Sequence, residues 1–278
     1  MTLRKSKPEI LHALAERVRS LEQGHRADPG QHISSSCAAL DRLLPQAAFR
    51  RSSLVEFLAA GRGSGASTLA LILARQAAAE GGAVVVLDHD RSFYPPAAAA
   101  LGIDLENLMV LRPTHARDHA WAFDQALRCT AVAAAVCSPG KWSDATLRRL
   151  QLAAESGAAV GLLLRPEVAR REPLWADVRL LVSPLPSDVR DRVSKVPGVG
   201  TQEGRRGSAS AYEKRWLLRR RLRVELLRMR GGAAGGVVEL ELDETTGELH
   251  ESLAPQTSHV HLASALAAAA PRRRSTGA

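Results

Sequence analysis

Between residues 33 and 186, six short apolar runs alternate with Ala- and Leu-rich stretches. The runs are SLVEF (53–57), AVVVLD (83–88), NLMVLR (107–112), AVAAAVC (131–137), AVGLLLR (159–165) and VRLLVS (178–183); the stretches lie at 66–80, 95–101, 117–128 and 143–156. An apolar run of roughly six residues without polar alternation is the pattern of a strand buried on both faces. Strands of that kind separated by helices predict an α/β fold, a largely parallel central sheet covered by helices. Farther on, RRLRVELLRMRGGAAGGVVELELDETTGELH alternates apolar and polar residues around a glycine-rich turn. Leu222, Val224 and Leu226 share one face and Val238, Leu240 and Leu242 another, which predicts a C-terminal antiparallel hairpin closing the sheet's edge.

The predicted core thus covers 31–250, and the flanks differ from it in composition. Within 1–30, Leu11, Leu14, Val18 and Leu21 form one apolar stripe on a predicted helix at 8–23, followed by the polar connector GHRADPGQ. A detached amphipathic helix needs a cover, either its own domain or another chain, and these four residues are the candidate partner contact. Residues 187–214 carry Pro, Gly, Ser and charge without periodicity and read as a mobile insertion; 251–278 reads as a disordered tail.

No apolar run reaches the roughly 20 residues that cross a bilayer, so the chain is expected to be cytoplasmic, without a membrane partner. Cys37, Cys129 and Cys137 are too scattered for a metal site or a disulfide framework. The formal net charge is +9, and residues 185–230 hold thirteen Lys or Arg against five Asp or Glu. Two readings of that stretch stand open: contact with DNA through residues such as Arg219, Arg220 and Arg221, or a solvated arginine-rich surface.

After the first predicted strand comes AAGRGSGASTLAL (59–71). A phosphate-binding loop needs glycines between strand and helix, a lysine for the terminal phosphates and a hydroxyl for magnesium. Gly61, Gly63, Ser64, Gly65, Ser67 and Thr68 supply the loop and the hydroxyls, but Ala60 stands at the first glycine position and Ala66 at the lysine position. The bland alternative is a glycine-rich turn that binds nothing. Asp90, just past the second strand, is placed to orient water, whereas Cys137 and Ser138 stand where an acid for hydrated magnesium is wanted.

ISSSCAALDRLLP, AAGRGSGAST and LDHDRSFYPPAAAALGIDLENLMVLRP follow one another as in the RecA family, which the chain resembles over roughly 33–250. The resemblance implies a RecA-like core with degenerate nucleotide motifs: Asp90 on the catalytic glutamate, Ala66 on the phosphate-binding lysine and Cys137 on the second motif's aspartate. It also implies two DNA-binding loops, both shortened here, with Arg165 at the start of the second, and so a candidate DNA contact. YPPAAAALGIDLENLMVLRP, TLRRLQLAAESG and LRVELLRMRGG are similar to segments of the ImuA group, RecA-like accessory proteins of damage-induced mutagenesis. That similarity implies a non-hydrolysing adaptor in SOS-induced translesion DNA synthesis, binding ATP weakly or not at all. Its partners would be an inactive Y-family polymerase homologue and an error-prone polymerase, with RecA itself and DNA as further candidates. A DNA-stimulated ATPase and an SOS cell-division inhibitor are the alternative functions.

Overall fold

The computed structural model describes residues 31–173, 175–186, 219–243 and 246–252. The helix expected at 8–23, with Leu11, Leu14, Val18 and Leu21, lies outside them, as do the insertion 187–214 and the tail beyond residue 252. In chain order the elements are β1 (His32–Ile33), α1 (Ala38–Asp41), β2 (Phe49–Arg50), β3 (Leu54–Ala59), α2 (Ala66–Ala77), β4 (Ala83–Leu87), α3 (Pro95–Ala100), β5 (Leu108–Leu111) and α4 (Ala116–Arg128). There follow β6 (Val132–Cys137), α5 (Asp144–Ser156), β7 (Val160–Pro166), β8 (Val178–Pro184), β9 (Arg219–Met229), β10 (Val237–Asp243) and β11 (Leu249–Glu251). Short 3₁₀ turns occupy Leu105–Asn107 and Glu167–Arg171.

Nine strands form one sheet in the order β11-β10-β9-β8-β3-β7-β6-β4-β5. From β8 to β5 every neighbouring pair is parallel, and β9, β10 and β11 extend the sheet antiparallel. The inner runs are strands buried on both faces, whereas β5, at the sheet's edge, leaves Met109 exposed. Val55 and Phe57 of β3 join a core cluster with α1 and α2, and Leu54 joins another with α4 and α5. Helix boundaries follow local chemistry. The Ser143 hydroxyl accepts from Thr146 N at 3.2 Å to cap α5, and Pro95 and Pro96 open α3, where their missing N–H groups cost nothing.

The hairpin pairs Leu222 with Leu240 and Val224 with Val238, and the six apolar residues expected on its inner faces are all buried. The structure adds β11, whose last residue, Glu251, had been assigned to the tail. A second, two-stranded sheet of β1 and β2 is a further addition.

Candidate functional site

The glycine loop lies at the C-terminal end of β3, the central parallel strand that carries β7 on one side and β8 on the other. Gly61, Gly63 and Gly65 all have left-handed φ, at 118°, 72° and 88°. Gly65 is constrained twice, because a Cβ there would also lie 2.7 Å from Leu222 Cδ2. The buried Ser64 accepts from Ala66 N at 3.3 Å, Ala66 opens α2 at 3% exposure, Ser67 is exposed and Thr68 half-buried. The loop therefore has the turn and the helix N-terminus of an anion cradle, with a methyl group at the position of the cation.

Two acids follow β4, and they do different work. Asp88 is buried and accepts from Ser92 N at 2.9 Å, Phe93 N at 3.1 Å and Arg112 Nε at 2.8 Å, which fixes the turn. Sequence reasoning had passed over both Asp88 and Arg112. Asp90 projects outward and accepts from Ser92 Oγ at 2.8 Å. Slight burial pushes its pKa up, but the Ser92 hydrogen bonds and nearby His89 outweigh this and hold the carboxyl below its ordinary value. Between β3 and β4 lie β7 and β6, so about three strand spacings (~14 Å) separate the ends of the two strands. Cys137 ends β6 at 2% exposure, and burial pushes its thiol up, so it remains neutral. Ser138 turns away to Leu164 O at 3.4 Å. Cavities of about 330 Å³ and 380 Å³ lie elsewhere, the first beside Arg75, Gly82 and Asn107, the second beside Ser35 and His250.

Arg165 does not face a ligand, which corrects its reading as a DNA contact. It is 6% exposed, donates to Glu56 Oε1 at 2.9 Å and also holds Glu172. Arg179, 5% exposed, grips the other oxygen of Glu56. Burial alone would lower the Arg165 pKa, but the bonds to Glu172 and Glu56 raise it, so the guanidinium is held charged inside the protein. Glu56, Arg165 and Arg179 sit on three adjacent strands, β3, β7 and β8, each the only charge in its strand. One acid and two bases within otherwise apolar runs was the available signal, since buried charges must pair.

Arg221 of β9 is corrected for the same reason. Arg221 is 9% exposed and donates to Glu239 at 3.0 Å, while Arg220 is half-buried. In register, Arg219 stands opposite Asp243, Arg221 opposite Glu241 and Arg223 opposite Glu239. Those acids fall outside the 185–230 window, so the local excess of positive charge overstated what β9 presents to a polyanion. Arg223 and Arg228, also on β9, are exposed. The structure thus brings the glycine loop and its hydroxyls together, leaves Asp90 at the same end of the sheet, and takes Arg165 and Arg221 out of reach.

Residues 16–138 match the model of the RecA N-terminal domain. RecA of Clostridium acetobutylicum is 36% identical over 81 residues, 29% of this chain and 23% of that protein. RecA of a Picosynechococcus species is 32% identical over 100 residues, 36% of this chain and 28% of that protein. The chain thus spans about a quarter of the length of these curated relatives. The crystal structure of the RadB recombinase superposes with a TM-score of 0.54 at 16% identity, covering 79% of this chain and 99% of that one, a likeness of fold. Residues 16–138, which include the glycine loop and the acid-bearing turn, are thus similar in sequence to the RecA N-terminal domain, and the sheet has the architecture of a RecA-like recombinase.

Proposed function

We propose that the chain is a non-hydrolysing RecA-like adaptor of the ImuA type, which assembles an inactive Y-family polymerase homologue with an error-prone polymerase in damage-induced translesion synthesis. One observation carries this reading: the loop keeps its left-handed glycines while Ala66 stands where a cation belongs. Two unit charges about 4 Å apart at an effective dielectric near 20 interact by about 4 kcal/mol. Removing the cation forfeits a contact of that order, and most of it where charge develops in the transition state. Neutral, buried Cys137 offers hydrated magnesium no hard oxygen ligand. This donor set does not fit a magnesium–triphosphate that is to be turned over.

The adaptor reading assigns the partner contact to Leu11, Leu14, Val18 and Leu21. Replacing Leu14 and Val18 by Asp is expected to abolish co-purification with polymerase subunits from damage-treated cells while the core stays folded. Undiminished co-purification removes this helix from the account, and recovery of division proteins in place of polymerases overturns the adaptor itself. Asp90, exposed and held ionised, favours a second reading, a DNA-stimulated ATPase whose missing cation comes from Arg62 or from a partner's lysine.

A further inference from the structure

We draw no further inference here: the strongest candidate, the apolar surface patch at the sheet edge formed by β5, where Met109 is 53% exposed, carries nothing, because nothing in the structure shows what covers it.

Discussion

Glu56 occupies the centre of the strand that carries the glycine loop, and what surrounds it decides what a substitution costs. At 2% exposure it is bonded to Arg165 on one neighbouring strand and Arg179 on the other. Glu56→Gln would leave two buried guanidinium groups with one carboxylate, Glu172, which is itself 49% exposed. Breaking a buried ion group from one side typically costs about 3–5 kcal/mol, whereas replacing all members by apolar groups of similar volume is often neutral. Urea denaturation should therefore show Glu56→Gln destabilised by about 3–5 kcal/mol. A triple replacement, Glu56→Leu, Arg165→Met and Arg179→Met, should stay within about 1–2 kcal/mol of the parent. Equal losses in the two would show that the charges are not coupled. The same group explains why Arg165 was misplaced from sequence: Glu56 stands 109 residues away in the chain and becomes its neighbour only through the parallel pairing of β3 and β7.

At the scale of elements, the connection from the turn at 167–171 into β8 is fastened at its far end by Asp177. Its Oδ2 accepts from Leu54 N at 3.0 Å, and Arg230 lies 3.6 Å from its Oδ1. Burial pushes the Asp177 pKa up, and the Leu54 N–H and Arg230 only partly oppose this, so the folded value lies above the ordinary one. The native state therefore binds this proton more tightly than the unfolded chain does. The linked stability is fully present below the ordinary aspartate pKa of about 3.9 and is lost as pH rises from there through the raised folded value. Asp177→Asn keeps an oxygen for Leu54 N but does not titrate. The stability of the parent minus that of the variant should thus fall as pH rises through this window, measured by denaturation at a series of pH values. A difference that grows with pH would mean that Arg230 outweighs burial.

Elements were legible from the sequence where burial is two-sided and local. Runs that are apolar but for single charges mark β3 through β8, and alternating apolar residues, all turned into the core, mark β9 and β10. β11, a three-residue strand after a turn, carries too little pattern to stand out. The β9 arginines misled because net charge over a window ignores cross-strand partners: Glu239, Glu241 and Asp243 lie beyond the window and opposite the run. The glycine loop was legible down to its residues, since only glycine adopts those backbone angles without strain, and Gly65 has no room for a side chain beside Leu222.

For the molecule as a whole, the parallel sheet, the left-handed loop and the acid-bearing turn after β4 keep the RecA-like frame, while the cation position holds Ala66 and the second acid position holds Cys137. The adaptor account makes the frame a platform and assigns the partner contact to the stripe proposed at 8–23. Its central claim is that this platform does not turn over nucleotide. The direct measurement is ATP hydrolysis by the purified full-length chain with magnesium and single-stranded DNA, run beside Asp90→Asn. The account predicts equal rates for parent and variant, both at background; turnover by the parent that drops in Asp90→Asn would contradict it.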